Sequence, residues 1–329
     1  MRIKNNEQII RWGIMGPGKI AHKFAKDLRE VPNAELCAVA SRNQDRAEAF
    51  ANEYHAAKAF GSYEALAQDA SIDAVYIATP HSLHKKYSLM CLSRKKAVLC
   101  EKPLAMGTAQ VEEMIAAAKA QEVLLMEAMW TAFLPNFRAA MQKVRAGILG
   151  EIISIEADFG FRAPYNPDSR LFNKKLGGGS LLDIGIYPLF LALSILGKPL
   201  KVDAHATFSE TGIDSSCTIT LHYDQNTKAH LLSTLLKETP TVAVIKGSEG
   251  NLKIHSPFHE SPSFSIEKNG KVEKFTFAKR GEGFVHEIEH FCDLVRKGKT
   301  ESHVMSFNIS RELIGLMDEV RKKIGLFYE

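Results

Sequence analysis

The chain has 329 residues, 45% of them hydrophobic, which is enough for two domains that each bury a core of their own. Lys and Arg number 42 against 38 acidic residues, which gives a formal net charge of +4. A charge balance this even disfavours nucleic acid or a membrane surface as a partner, and leaves a small-molecule ligand as the expected one.

The first part of the chain alternates short apolar runs with helical patterns, which is typical of βαβ units around a parallel sheet. The predicted strands cover 9–15, 35–40, 73–78, 97–100 and 123–126. This pattern predicts an α/β fold with an N-terminal Rossmann dinucleotide-binding domain over 1–128.

The pattern changes after Met129. A helix is predicted over 135–146, and strand-like segments separated by turn residues follow at 152–159, 202–208, 217–223, 228–235, 242–246 and 272–277. Helices over 284–296 and 308–324 close the chain. We predict a C-terminal α+β domain over 129–329 with a large, mostly antiparallel open sheet for substrate binding and oligomerisation. Its last helix is able to pack back on the first domain.

The first predicted strand runs into G-P-G-K-I-A at 16–21, a G-x-G-x-x-A pattern at a strand-to-helix junction. Gly16 allows the tight turn and Gly18 lets the backbone approach a pyrophosphate. Lys19 and Ile20 begin the helix whose amides face the phosphates. Such a glycine turn also occurs as a purely structural feature, but its position between a strand and a helix favours a dinucleotide site.

The second predicted strand ends in Ser41-Arg42, where NAD enzymes usually place an acid that binds the ribose 2′-hydroxyl. Ser41 is able to hydrogen-bond a 2′-phosphate, Arg42 to neutralise it and stack on adenine, and Arg46 to assist one turn later. The alternative is a solvated loop arginine. We expect NADP rather than NAD as the cofactor.

Polar residues follow the next two predicted strands of the parallel sheet. They are Thr79, Pro80, His81 and His84 after 73–78, and Glu101 and Lys102 after 97–100. Ligands of open parallel sheets bind beyond the carboxyl ends of the strands, so we expect these residues to line the cofactor site. Proline after Lys102 prevents a helical continuation, and Lys102 is therefore expected to point into the cleft.

A glycine-rich stretch, G-G-G-S-L-L-D-I-G-I-Y-P at 177–188, opens an apolar helix. Asp183 and Tyr187 lie four residues apart and share a helix face, and the glycines allow close approach of a ligand. Taken alone, either residue in such a place would more often have a structural role.

Five motifs together resemble the Gfo/Idh/MocA family of oxidoreductases over nearly the whole chain. They are GPGKIA, ATPHSLH, CEKP, MWTAFLP and GGGSLLDIGIY. The chain is most similar to the branch with a tyrosine at position 187, which includes dimeric trans-dihydrodiol dehydrogenases and NADP-dependent xylose dehydrogenases. The resemblance implies Lys102 and Tyr187 as a catalytic pair and Asp183 as a substrate-side residue. The family pattern has an arginine where this chain has Ala132, so no role of that arginine carries over.

This pairing suits an alcohol dehydrogenation, in which a proton must leave oxygen as the hydride leaves carbon. Free phenols ionise only at about pH 10, so an unassisted tyrosine is a poor base at neutral pH. A nearby ammonium at Lys102 would favour the phenolate of Tyr187. We expect NADP-dependent hydride transfer to or from a hydroxyl or carbonyl group of a sugar-like, polyol or dihydrodiol substrate. Trp130 is expected to form a wall of the substrate pocket.

Two other functions use the same nucleotide-binding fold. A catalytically silent NADP-binding sensor would need neither Lys102 nor Tyr187, so their presence argues against it. An enzyme that keeps its nucleotide bound and dismutates sugars remains a second alternative.

A zinc site is suggested by His286-Glu287-Ile288-Glu289-His290, which matches H-E-x-x-H. An apolar stripe on the same predicted helix, including Phe284 and Phe291, leaves both histidines on the opposite side. We therefore expect a solvated or subunit-facing helix and no metal.

The five cysteines are scattered and lack C-x-x-C spacing, which favours free thiols in a cytoplasmic protein. The first eight residues are polar, and no apolar run approaches membrane-spanning length, so we expect neither export nor a membrane anchor. An open sheet needs its second face covered, and we expect a homodimer or homotetramer formed through the C-terminal sheet.

Overall fold

The computed structural model describes residues 8–328. The first seven residues, on which the expectation of no export signal partly depends, lie outside that range. The chain divides into two compact units. The first contains the described residues up to Phe133 together with Lys279–Arg311, and the second contains Leu134–Ala278 and the described residues from Glu312 onward.

The first unit is built on a six-stranded parallel sheet of strand order β3-β2-β1-β4-β5-β6. Its strands are β1 (Ile10–Met15), β2 (Ala34–Ala40), β3 (Lys58–Phe60), β4 (Ala74–Ile77), β5 (Ala97–Glu101) and β6 (Leu125–Ala128). The predicted Rossmann fold is confirmed. The order reverses between β1 and β4, and the ligand crevice of such a sheet opens beyond the carboxyl ends of the strands at that reversal.

Helices connect these strands, as the alternating pattern predicted. They are α1 (Lys19–Leu28), α2 (Gln44–Tyr54), α3 (Tyr63–Gln68), α4 (His84–Ser93) and α5 (Thr108–Gln121). The prediction missed β3, because three residues are too few to show an alternating pattern.

The first unit also contains a later part of the chain, which the predicted boundary after residue 128 did not include. This part holds helix α8 (Val285–Arg296). The Asp27 carboxylate on α1 accepts hydrogen bonds from the amides of Glu282, Gly283 and Phe284 at 2.7, 3.0 and 2.7 Å. A carboxylate at the start of a helix stabilises it, so Asp27 anchors α8 to α1.

The second unit contains an eight-stranded sheet of order β14-β13-β12-β11-β7-β10-β9-β8. Its strands are β7 (Ile152–Gly160), β8 (Lys201–Phe208), β9 (Asp214–His222), β10 (Lys228–Thr234), β11 (Ala243–Gly247), β12 (Asn251–Ile254), β13 (Ser263–Lys268) and β14 (Lys271–Thr276). All neighbouring pairs are antiparallel except β7 with β10. The predicted large, mostly antiparallel sheet is confirmed, while β12 and β13 were missed.

Two helices, α6 (Pro135–Arg145) and α7 (Ile186–Leu196), pack on one face of this sheet. Along β7, Ile155 and Ala157 point to the buried face, whereas Glu156 is exposed. Glu156 pairs with Lys246 of β11 at 2.6 Å on the open face. A polar face of this kind is stable in water. The homodimer or homotetramer through this sheet therefore stays a prediction.

Within residues 8–328, one segment, Lys174–Leu196, has the length and mean hydropathy (1.8) of a membrane-crossing helix. The sequence predicts no membrane anchor, since lysines precede and glycines interrupt the apolar part of this segment. The segment contains α7, and 83% of its most apolar window is buried inside the protein, which is typical of a core helix. Helix α9 (Phe307–Ile324) closes the chain.

Candidate active site

The glycine turn after β1 has the geometry that a dinucleotide requires. Gly16 has φ +92°, and a Cβ there would lie 2.8 Å from the Ala78 carbonyl oxygen. A Cβ at Gly18 would meet no protein atom within 4 Å, so the space beside it is open. Helix α1 starts directly afterwards at Lys19, with no acidic residue in its first turn. Its amides and positive dipole end suit a pyrophosphate.

The end of β2 carries the predicted 2′-phosphate residues. Ser41 is buried, and its hydroxyl accepts a hydrogen bond from the Asn43 amide at 3.2 Å. Arg42 and Arg46 are exposed, and both guanidinium groups lie close enough to Tyr63 to act on its phenol. Burial raises the pKa of Tyr63, and the positive charge of Arg42 opposes that rise. Two cations therefore lie near this strand end, no acid takes the position directly after the strand, and Tyr63 is a neighbour that the sequence did not reveal.

The segment after β4 is held inside the protein. The Thr79 hydroxyl is buried and has no hydrogen-bond partner among the described residues. Pro80 precedes a short 3-10 turn that begins at His81, which is also buried. An unpartnered buried hydroxyl in this position is suited to a ligand.

His84 was predicted to bind the cofactor, but the structure gives it an internal role. Its ring is fully buried, with Nδ1 2.8 Å from the Pro103 carbonyl oxygen and Nε2 2.9 Å from the Thr79 carbonyl oxygen. Burial lowers the pKa of His84 to about 4, so the ring is neutral at physiological pH. Both ring nitrogens face backbone of the protein itself. A neutral ring donates from only one nitrogen, so His84 hydrogen-bonds one of these two carbonyl oxygens and packs between the segments after β4 and β5.

Lys102 follows β5 in a segment that neighbouring strands hold in place. The Tyr76 hydroxyl of β4 hydrogen-bonds the Glu101 carboxylate, which also accepts the Lys102 amide at 3.2 Å. Glu127 of β6 accepts the Leu104 amide at 2.9 Å. The charge of Lys102 acts on both His84 and Glu127, which places its ammonium near them. Tyr76 and Glu127 thus position the predicted catalytic lysine.

Buried carboxyl groups lie beneath this segment. Burial raises the pKa of Glu127 to about 7, although Ser310 donates to it at 2.6 Å. Glu287 of α8 is fully buried, and neither of its carboxyl oxygens has a hydrogen-bond partner among residues 8–328. Burial, and then the charges of Glu101 and Glu127, raise the pKa of Glu287 well above its ordinary value. Burial therefore favours the protonated form of Glu287.

Trp130 lies directly after β6 in a short 3-10 turn and is 6% exposed. Its ring packs on Phe284 with 4.7 Å between centroids, and the Lys23 ammonium lies 5.6 Å from its ring centroid. The pocket-wall role of Trp130 stays a prediction. The neighbouring Ala132 is also buried in the same turn.

In the second unit, Asp183 lies in a π-helical turn, Leu181–Gly185, that leads directly into α7. Its carboxylate forms an ion pair with Arg170, at 2.8 Å from Oδ1 to Nη1. The Asp183 side chain is 8% exposed and that of Arg170 is 55% exposed. An arginine partner keeps a carboxylate ionised and able to accept a hydrogen bond from a hydroxyl. Arg170 is absent from the sequence motifs and was missed.

Tyr187 lies in the first turn of α7 and is 7% exposed. Its ring centroid is 4.9 Å from that of His259 and 5.7 Å from that of Phe159. His259 and Phe159 stack on each other at 4.2 Å. The phenol is thus surrounded by aromatic rings that limit its rotation. His259 lies in a loop without a motif, so no sequence signal pointed to it.

The H-E-x-x-H segment does not form a compact metal site. His290 Nε2 lies 2.8 Å from the Ser302 hydroxyl, and His286 Nδ1 lies 3.9 Å from Glu289. Glu287, the glutamate that follows the first histidine of the motif, is buried. Within the part of the chain that the structure describes, no group of three or more His, Cys, Asp or Glu side chains could hold a metal ion.

The two units carry complementary chemistry. The first has the open glycine turn, the exposed helix start and the buried Thr79 hydroxyl, which together fit a dinucleotide. The second carries a buried phenol and an ion-paired carboxylate. These features define an NAD(P)-dependent oxidoreductase.

Known families match both units. The family described as "Oxidoreductase family, NAD-binding Rossmann fold" matches residues 10–129, and the GFO/IDH/MocA C-terminal domain matches residues 137–253. The chain belongs to the Gfo/Idh/MocA family of oxidoreductases, as its motifs predicted.

Individual proteins are similar over almost the full length. A trans-1,2-dihydrobenzene-1,2-diol dehydrogenase of Xenopus laevis is 38% identical, covering 97% of this chain and 99% of that protein. The 3-ketoreductase KijD10 of Actinomadura kijaniata, solved with NADP and TDP-benzene, is 28% identical with a TM-score of 0.87, covering 96% and 98% of the two chains. An aldose-aldose oxidoreductase of Caulobacter crescentus shares the fold at 22% identity and a TM-score of 0.86, covering 96% and 97%.

Proposed function

We propose that this protein is an NADP-dependent dehydrogenase or reductase acting on a hydroxyl or carbonyl group of a sugar-like, polyol or dihydrodiol substrate. The observation that carries the proposal is the buried Tyr187 phenol, one helical turn from the ion-paired Asp183 carboxylate. The similar dihydrodiol dehydrogenase and the NADP-bound 3-ketoreductase support the same substrate class.

In this proposal Tyr187 exchanges a proton with the substrate oxygen, and Lys102 stabilises the negative charge that develops there. Asp183, which is paired with Arg170, accepts a hydrogen bond from a neighbouring substrate hydroxyl. A bound nicotinamide ring supplies or accepts the hydride. A catalytically silent sensor has no use for a proton-exchanging phenol, which favours the enzyme.

Steady-state kinetics of Tyr187→Phe and Lys102→Met test these roles. We expect either change to lower kcat by about 100-fold or more, because general acid–base catalysis contributes roughly that much. The matched controls are Tyr165→Phe and Lys95→Met, at exposed positions of the same two units, which should keep normal turnover. The substrate panel comprises aldoses, cyclic polyols, dihydrodiols and α-dicarbonyls. Normal turnover of Tyr187→Phe with NADP still bound would remove the assignment.

We also propose that NADP is preferred over NAD, because Ser41, Arg42 and Arg46 lie near the end of β2 and the position directly after that strand is Ser41 rather than an acid. Arg42→Ala should weaken NADP binding by about tenfold or more and leave NAD binding nearly unchanged, since only NADP carries the 2′-phosphate. Arg94→Ala, an exposed arginine in the turn between α4 and β5, is the control. Equal losses for both nucleotides after Arg42→Ala would contradict this preference.

A cytoplasmic location and a homodimer or homotetramer through the C-terminal sheet complete the proposal. All five cysteines are free thiols, which suits a reducing compartment. Cell fractionation tests the location. Sedimentation of the protein and of a charge-reversed open face, Glu156→Lys, tests the assembly: a monomer in both cases contradicts it.

A further inference from the structure

Asp214, the first residue of β9, lies buried under the start of the helical segment that carries Asp183 and Tyr187. Its Oδ2 accepts hydrogen bonds from the Ser180 hydroxyl and from the Leu181 amide, each at 2.7 Å. The Ser180 hydroxyl also lies 3.0 Å from that of Ser233 on β10. A carboxylate that accepts the first amide of a helix stabilises its positive end. Here the capping group comes from a strand rather than from the helix itself.

The chain before the helix lies directly on this carboxylate. Gly179 has φ +129°, and a Cβ there would lie 2.2 Å from Asp214 Oδ1, so no larger residue fits between them. The Gly179 carbonyl oxygen accepts the Asp183 amide at 3.3 Å, a hydrogen bond of α-helical spacing that overlaps the start of the π-helical turn. π-helical turns are rare and frequently occur at functional sites. The turn that Asp214 holds therefore determines the positions of Asp183 and, one helical turn later, of Tyr187.

We propose that Asp214 is a positioning residue for Tyr187, whose ionised carboxylate holds the first helical turn in the reactive arrangement. This inference rests on the proposed role of Tyr187 as the acid/base group. Protonation of Asp214 replaces charge-assisted hydrogen bonds from Ser180 and Leu181 with neutral ones, which are roughly half as strong. The hold on the turn then weakens, and activity falls with it.

The pH range in which this happens follows from the surroundings of Asp214. Burial raises the pKa of Asp214 to about 7, and the hydrogen bond from Ser180 opposes that rise. The titratable groups that face it are Cys217 on its own strand and Tyr328 near the C-terminus, whose phenol donates to the Gly178 carbonyl oxygen at 2.6 Å. Burial raises the pKa of both groups, so both are neutral near pH 7. The charged group beside Tyr328 is the Arg321 guanidinium, 5.4 Å from the Tyr328 ring centroid.

Two variants isolate the proposed role through the pH profile of kcat. The wild-type kcat should rise with pH through about 7, the pKa of Asp214. In Asp214→Asn this ionisation should disappear, and kcat should fall by about tenfold because a charged hydrogen-bond acceptor is lost. In Ser180→Ala the ionisation should move to higher pH, because the hydrogen bond that lowers the pKa of Asp214 is absent. NADP binding should stay within about twofold in both variants, because Ser180 and Asp214 belong to the second unit and the predicted nucleotide-binding residues belong to the first.

Asp203→Asn is the matched control and should keep the wild-type profile, because the Asp203 side chain lies on β8 of the same sheet and is 42% exposed. A purely structural role of Asp214 would lower activity without moving the ionisation. An unchanged pH profile in Ser180→Ala therefore overturns the inference even if Asp214→Asn does not fold.

The Tyr187→Phe background separates this inference from the proposed function. Asp214→Asn should add no further loss of kcat there, because its effect passes through the phenol. A full additional loss overturns the inference. Normal turnover of Tyr187→Phe alone instead overturns the proposed function. If Tyr187→Phe has no measurable turnover, the two single-variant pH profiles decide.

Discussion

Replacing the buried Glu287 with methionine should make the protein more stable. Glu287 is 0% exposed on α8, and both of its carboxyl oxygens lack a hydrogen-bond partner among the described residues. Methionine is similar in length, unbranched and apolar, so it fills the same space without a group that needs a partner. The substitution therefore removes an energetic penalty rather than an interaction.

The size of the gain follows from burial and from the direction of the pKa shift. Burying an unpartnered polar group costs about 1–3 kcal/mol, which is the gain expected at low pH. The pKa of Glu287 is raised well above its ordinary value of 4.5, so the folded protein keeps a proton that the unfolded chain loses. Wild-type stability therefore falls as pH rises above 4.5, by about 1.4 kcal/mol for each pH unit until the folded pKa is reached. The advantage of Glu287→Met should grow with pH by the same amount.

Urea denaturation followed by tryptophan fluorescence measures this difference. The protein has two tryptophans, Trp12 and Trp130, and both belong to the first unit with Glu287. The titration is run at pH 5 and pH 8, and an unchanged m-value shows that the same transition is compared. Glu289→Met, on the same helix but 36% exposed at its side chain, is the control and should stay within about 0.5 kcal/mol of wild type.

A loss of stability at both pH values, or a gain that does not change with pH, would refute this reasoning. A loss means that Glu287 has a stabilising partner in the folded protein, and a gain that does not change with pH means that folding does not raise its pKa.

Two further changes test the local geometry of the first unit. Gly16→Ala forces a side chain onto φ +92° and to 2.8 Å from the Ala78 carbonyl oxygen, so we expect a loss of about 1–3 kcal/mol in urea denaturation and weaker NADP binding in fluorescence titration. Gly147→Ala, at φ +73° with no atom within 4 Å, should show the backbone strain without the clash, and an equal effect of the two would contradict our explanation. Asp27→Asn should lower the free energy of unfolding by about 2–3 kcal/mol, because the new amide group faces three N–H donors. A loss no larger than that of the exposed Glu30→Gln would show that this cap is dispensable.

The sequence predicted the parallel sheet well because its evidence is local. An apolar run bounded by turn residues reveals β1 or β5 without knowledge of the rest of the chain, and Gly16 at a strand end indicates a turn that needs positive φ. Short strands such as β3 were missed because three residues carry no period. The grouping of α8 with the first unit was missed because it depends on Asp27, more than 250 residues earlier in the chain.

The candidate site residues also fall into two groups, those that the sequence identified and those that only the structure showed. Lys102, Asp183 and Tyr187 stand in motifs and could be identified from residue type and order. Their neighbours could not, because Arg170, His259 and Asp214 lie in segments without a motif and reach the site only through the fold.

By itself, the sequence determined which segments become strands and helices, and which polar residues lie at their ends, because periodicity and backbone dihedral preferences act over a few neighbouring residues. The tertiary structure alone decided which of those residues meet a partner. It turned His84 inward onto two backbone carbonyl oxygens, left Glu287 without a partner in the described chain, and placed Asp214 under the turn before Tyr187. Hydrogen bonds and burial between distant segments depend on how the whole chain packs, and no local pattern encodes them.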